Sequence, residues 1–329
     1  MTSIDHSQAG LGSPARGSLQ HLPLPLFAVP MGLGGLALAW RDAAVVLGAP
    51  VMIGEALMAV AAIAWLVILV AHATRTFLHP SALAGDLVHP IRSAFAGAIS
   101  IGLLILSGGA IPYSTDLAAG LWLTGVSLHL VVGVWIVRSL LLSPRDAATL
   151  TPPLLIPLVG NVLAPIFGAK LGFVTASWML FGLGALLWLI VQPLILLRLA
   201  TGPQLPARMR PTLAILLAPP AVGSIALAAL TGGFGPGPLA VYALAALIAV
   251  VLLTLVPVFR TVPFAMSWWG YTFPAAAFSI ASLKVAHHSP MDWHGPALWV
   301  LLVFVSGVIA TVSIATLKAL WNGHLLQPE

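Results

Sequence analysis

An all-α integral membrane fold with ten transmembrane helices is what this sequence predicts. Three observations predict it: little charge, unbroken apolar runs of bilayer length, and helix-breaking residues that fall in every second run. Of 329 residues, 60% are hydrophobic and 6% charged, which leaves too little polar surface to cover a soluble globule of this size. Residues 51 to 71 and 117 to 137 are apolar runs that pass the length of about 18 to 20 residues a spanning helix needs. A membrane barrel would alternate apolar and polar residues, whereas these runs are continuous and rich in Leu, Ala and Val.

The chain divides into a disordered cytoplasmic tail over 1–22, a transmembrane domain over 23–321 and a short cytoplasmic tail over 322–329. The first 22 residues hold Ser, Gly, Pro and Gln with no apolar core, so they read as a tail and the first span serves as its own targeting signal. Spans are expected at 24–40, 51–74, 92–112, 117–142, 153–169, 173–199, 210–230, 237–259, 267–286 and 296–320. This layout puts Arg16, Arg75, Arg92, Arg138, Arg145, Arg198, Arg208, Arg210, Arg260 and Lys318 on one side. Only Arg41, Lys170 and Lys284 fall on the other. Cytoplasmic loops retain positive charge, so the sorting supports an even number of spans with both termini in the cytoplasm of a cell with an inner membrane.

Proline and glycine carry the second regularity. Pro30 interrupts the first span, Pro157 and Pro165 the fifth, Pro219 and Pro220 the seventh and Pro274 the ninth, with Gly32 and Gly223 close by. The third has Gly102, Gly108 and Gly109. In the even spans Pro193 and Pro257 lie near the exits and the others have none. A proline inside a helix removes a backbone hydrogen bond, which hydrocarbon tolerates badly but a water-lined cavity or packed interior tolerates well. The odd spans are therefore expected to face inward. One broken and one straight helix recur about every 50 to 60 residues, giving five hairpins whose broken members enclose a central pore.

The stretches FAVPMGLGGLALAW at 27–40, HPIRSAFAGAISIGLLILS at 89–107 and SWWGYTFPAAAFSIASLKVA at 267–286 resemble the tellurite-resistance and dicarboxylate transporter family. That family includes the plant guard-cell slow anion channels, and the resemblance runs from about residue 22 to 320. It implies ten helices in five hairpins around a quasi-fivefold pore, in a homotrimer with one pore per subunit. It also implies that a phenylalanine of the ninth helix plugs the pore. The motif YTFP at 271–274 places that role on Phe273, with Pro274 supplying the kink.

Read from the residues alone, Phe273 is either a ring packed between helices or a dewetted constriction that opens when the ring swings away. No Lys or Arg lies in the middle of an odd span, so selectivity is expected to be weak and to follow the cost of dehydration. Arg92, Arg208 and Arg210 collect at the cytoplasmic mouth, where they raise the local anion concentration. Asn161 is read as a hydrogen-bond partner for backbone near Pro165 or for a passing anion. His129 and Glu55 are polar groups in even spans that a proton-coupled carrier would use. The loop HHSPMDWH at 287–294 and the set His72, His79 and His89 match no metal-binding spacing and read as solvated. No cysteine is present, no nucleotide-binding signature is found, and no cofactor, nucleic acid or enzymatic activity is expected. The expected function is a gated channel for small inorganic or organic anions in the lipid bilayer. The alternative is a secondary carrier of dicarboxylate, sulfite or tellurite-related oxyanions.

Overall fold

Hydrocarbon accepts only helices whose backbone groups are satisfied internally, and the computed structural model, described over residues 18–143 and 146–327, sorts its helices by that criterion. Among the described residues eight helices are long and apolar enough to cross a membrane. Five are continuous: Val51–Leu78, Thr115–Leu142, Val174–Thr201, Pro236–Thr254 and His294–Trp321. Three are interrupted: Leu24–Leu47, Arg92–Ala110 and Ala207–Thr231. The predicted fifth and ninth spans are the two outside that set. The fifth is the shorter apolar stretch Pro152–Gly168. The ninth is a 3-10 segment, Met266–Tyr271, running into the α-helix Thr272–His288. No strand occurs among the described residues.

Burial separates the two kinds. In the most apolar window of the continuous helices 11 to 28% of residues are buried, against 72 to 83% in the three long interrupted ones. We call the five interrupted stretches the inner segments, first to fifth, and the continuous ones the outer helices. Each inner segment packs on the outer helix that follows it, and the inner segments also touch one another in order, the fifth returning to the first. Indole N–H groups tie the two layers. Trp65 donates to the carbonyl of Ile99 at 3.1 Å and Trp122 to that of Ala164 at 2.9 Å. Trp269 donates to Thr316 Oγ1 at 2.9 Å.

The interruption differs from the expected mid-helix kink. Every inner segment starts as a 3-10 turn and then becomes α-helical: Leu24–Phe27, Arg92–Phe95, Pro152–Leu154, Ala207–Leu217 and Met266–Tyr271 are the 3-10 stretches. Pro30, Pro157, Pro165, Pro219, Pro220 and Pro274 all stand second or third in the α-helical stretch that follows such a turn. An N–H in the first turn has no intrahelical acceptor, so proline costs little there and its fixed φ suits the start of the helix. The second inner segment has glycine instead: a Cβ on Gly97 would lie 3.0 Å from Pro157 Cα, so the bare backbone lets the second and third segments meet.

Parts of both expected tails are folded against the rest of the chain. Residues 1–17 and 328–329 lie outside the described residues, as do Pro144 and Arg145. Within the expected N-terminal tail, Leu19–His21 form a 3-10 turn and Leu22 is buried. Arg75 Nε donates to the Gln20 carbonyl at 3.0 Å, and Ser18 N–H donates to Leu326 O at 3.1 Å, which joins this turn to a packed C-terminal turn, His324–Leu326. Composition hid this because a chain can be held by its backbone without apolar side chains of its own.

Arg75 ends the first outer helix and reaches Asp86 on the short helix Pro80–Val88 at 2.6 Å. Both side chains are at most 4% exposed, and Arg92 approaches the second oxygen of Asp86 at 3.2 Å. At the middle of the ring a Cβ on Gly32 would fall 2.2 Å from Thr272 Oγ1 and 2.8 Å from Thr272 Cβ. Gly32→Ala is therefore expected to push the first and fifth inner segments apart and to cost about 1 to 3 kcal/mol as overpacking. Thermal unfolding in detergent checks it, and an unchanged melting temperature would contradict the close approach.

Candidate functional site

Two cavities lie end to end inside the ring, and each is lined by all five inner segments. The first, about 60 Å³, sits at the leading ends and is walled by apolar groups such as Met31, Phe95, Ile156, Ile215 and Pro274. The second, about 520 Å³, opens at the trailing ends and takes in Gly35, Ile105, Phe167, Ile225 and Ala277. In every inner segment the lining of the first cavity begins earlier in sequence than that of the second, so all five run in the same direction around one axis.

Three side chains, Leu163, Val222 and Phe273, line both cavities and so stand between them. Phe273 is the only aromatic of the three. It is 8% exposed, and its ring lies over Gly35, where a Cβ would come within 3.1 Å of Cδ2. Its place as the second residue of the helix follows from the sequence around it: Tyr271 closes the 3-10 stretch, Thr272 begins the α-helix, and Pro274 fixes the backbone one residue later. An apolar partition of this kind offers a hydrated ion no ligand, so it resists passage by dewetting.

The other sequence-predicted residues divide. Pro219 and Pro274 line the first cavity, as expected of inner kinks. Pro30, Gly32, Gly102, Pro165 and Gly223 are not among the residues lining either cavity. The physical reason is helix packing. Gly102 faces outward, where a Cβ would lie 2.6 Å from the Trp65 indole, and Gly223 makes ordinary contacts toward Val241 and Val162. Pro30 and Pro165 are buried at the starts of their helices. Asn161 is buried, but it borders a lateral groove between Thr115–Leu142 and Val174–Thr201 together with Arg138. Its Nδ2 is 3.5 Å from the Leu158 carbonyl, so its contact is to nearby backbone and the anion-facing alternative is not supported.

Arg92, Arg208 and Arg210 line neither cavity. Arg92 spends its charge on Asp86, and the Arg208 backbone carbonyl accepts from the Ser267 hydroxyl. Among the described residues, the lysines and arginines that line either of the two axial cavities are Arg41, Lys170 and Lys284, all in the second. Sequence reasoning placed these three on one side of the membrane but gave them no role, because span assignment says nothing of how segments far apart in sequence are rotated about one another.

Glu55 accepts from Arg41 Nη2 at 2.6 Å and from the Tyr113 hydroxyl, which satisfies it at the rim. His129 is buried on an outer helix and its Nδ1 lies 2.8 Å from Ser100 Oγ. The Ser100 hydroxyl donates to the Gly97 carbonyl, so its oxygen accepts from Nδ1–H. Nε2 has no hydrogen-bond partner among the described residues and abuts Gly160, which lines the first cavity. In the loop singled out at 287–294, His294 Nδ1 accepts from the Met291 amide and its ring meets Trp293. Among the described residues no group of three or more His, Cys, Asp or Glu side chains is placed to hold a metal.

Comparison with known proteins bears on this geometry. Residues 21–317 match the family described as voltage-dependent anion channel. The S-type anion channel SLAH3 of Arabidopsis thaliana is 28% identical over 279 residues, 82% of this chain and 44% of that protein. The S-type anion channel SLAH2 of the same plant is 26% identical over 311 residues, 91% of this chain and 58% of that protein. The tellurite resistance protein TehA homolog of Haemophilus influenzae is 25% identical over 200 residues, 60% of this chain and 61% of that protein. This chain thus spans about half the length of the plant relatives. An all-helical fold whose broken segments surround paired cavities, matched over nearly its whole length, places the chain in the voltage-dependent anion channel family.

Proposed function

We propose that this protein is a passive, gated channel for small monovalent anions, whose path runs through the two cavities and is closed by Phe273. The observation that carries the reading is the single aromatic ring shared by both cavities, on a helix whose backbone is fixed by the adjoining proline. In this reading the shorter third segment and the composite fifth segment also cross the membrane. That gives ten spans in five hairpins with quasi-fivefold pseudosymmetry. The channel sits in the inner cell membrane as a homotrimer with both termini cytoplasmic. It catalyses no reaction. Among the described residues no lysine or arginine lines the first cavity, so anions are ranked there by how readily they shed water.

A carrier would need a charged binding site near the midplane and two alternating closures. The test uses proteoliposomes. A channel lets anions run down their own electrochemical gradient, and its reversal potential follows the anion ratio alone. Uphill anion uptake driven by an imposed pH gradient would establish the carrier and exclude the channel. Glu55→Gln, which keeps a hydrogen-bonding group beside Arg41 and Tyr113, is expected to leave the reversal potential unchanged; a shift with pH that this substitution abolishes would contradict the channel.

A further inference from the structure

The second cavity gathers more charge than its apolar walls require. Arg41 and Lys284 come from the trailing parts of the first and fifth inner segments and Lys170 from just past the third, yet all three meet its wall, with Asp42 as the carboxylate lining it among the described residues. Two of the three cations are matched. Arg41 is held by Glu55 at 2.6 Å and by the Gly109 carbonyl at 2.9 Å, and Lys284 Nζ lies 3.0 Å from Asp42. Lys170 forms no ion pair among the described residues. Its side chain is exposed at the cavity, and the protein around it takes enough water from it to hold its ammonium below the usual lysine range. Lys284 adds repulsion and Asp42 opposes it.

A cation that is partly stripped of water, repelled by a neighbour and given no carboxylate is completed by a mobile counter-ion. The enclosure of about 520 Å³ has room for more than about ten waters, so an anion can rest there with much of its hydration shell in place. We propose that the wide cavity contains an anion-binding site centred on Lys170, with Lys284 as its second cation, for a small singly charged inorganic anion such as chloride or nitrate. The site lies on the open side of Phe273, so it loads an ion next to the apolar partition without holding it inside the partition. As a step in conduction this rests on the channel reading; as a binding site it does not.

The experiment has two arms. In the first, purified protein is treated with a limiting amount of a neutral amine-acylating reagent while chloride replaces gluconate at constant ionic strength. Peptide mass spectrometry reads modification of Lys170, with Lys318 as reference. Bound anion is expected to protect Lys170, halving its modification at the chloride concentration equal to Kd, with Lys318 unaffected. Modification of Lys170 that does not change with chloride, or that changes in step with Lys318, overturns the site. In the second arm, Lys170→Gln is made in a Phe273→Ala background. Current is expected to fall several-fold at low chloride on the cavity side and to converge with the parent at saturating chloride. Equal currents at low chloride overturn the site. Absence of any anion current in the Phe273→Ala parent overturns the channel reading instead, and the modification arm then decides the site by itself.

Discussion

Phe273→Ala is expected to convert a closed pathway into a leak. The ring lines both cavities and lies against the bare backbone of Gly35, so removing it joins a 60 Å³ space to a 520 Å³ one through apolar walls. Water then fills the junction, and an anion no longer has to shed its shell to pass. A rise of at least about tenfold in anion conductance is expected, which corresponds to about 1.4 kcal/mol off the barrier. Truncating a buried Phe also costs about 3 to 5 kcal/mol of packing energy. Surface expression and melting are therefore measured beside the current, and Phe273→Leu serves as a partner that keeps apolar bulk. The expected order of currents is Ala above Leu above wild type. Equal currents from all three at normal expression would reject the closure assigned to this ring.

Asp86→Ala is expected to be the most destabilising polar substitution outside the ring. Asp86 is 3% exposed in its side chain and holds Arg75, at 4%, through a 2.6 Å contact. Removing the carboxylate leaves a guanidinium with no counter-charge in an enclosed place. Breaking a buried pair in this way costs about 3 to 5 kcal/mol. The same reasoning predicts that replacing both partners with apolar residues, Arg75→Met with Asp86→Leu, recovers most of the loss, because no isolated charge remains. Unfolding in detergent separates the cases. A double variant as unstable as Asp86→Ala would show that the pair stabilises by more than charge balance, and a single variant as stable as wild type would show that Arg75 finds water.

The layering of this fold was legible in the sequence because it follows from chemistry that one residue at a time reports. Prolines at 30, 157, 165, 219 and 274 announce backbone that lipid does not tolerate, and the segments carrying them are the buried ones. The site of each interruption was not legible, because a 3-10 turn and the first turn of an α-helix have the same residue preferences at this resolution of reading. The roles of individual glycines were hidden for a related reason. Gly97 and Gly102 both sit in the second inner segment, yet one meets Pro157 on a neighbouring inner segment and the other meets Trp65 on an outer helix. Only the rotation of the helix separates these cases. Phe273 was reached through its motif rather than its environment, and the clustering of Arg41, Lys170 and Lys284 was missed entirely, since nothing local says that three distant helix ends share one chamber.

The concealment of irregular backbone behind smooth outer helices has a consequence for how the chain enters a membrane. Pro152–Gly168 would extend about 25 Å as a plain α-helix, short of the hydrocarbon thickness of about 30 Å. Its prolines add backbone that oil cannot satisfy. Such a stretch gains little by partitioning alone. It is stabilised once Val174–Thr201 arrives to cover it, so the two are expected to leave the translocation machinery as one unit, with the later and more apolar helix drawing the earlier one into place.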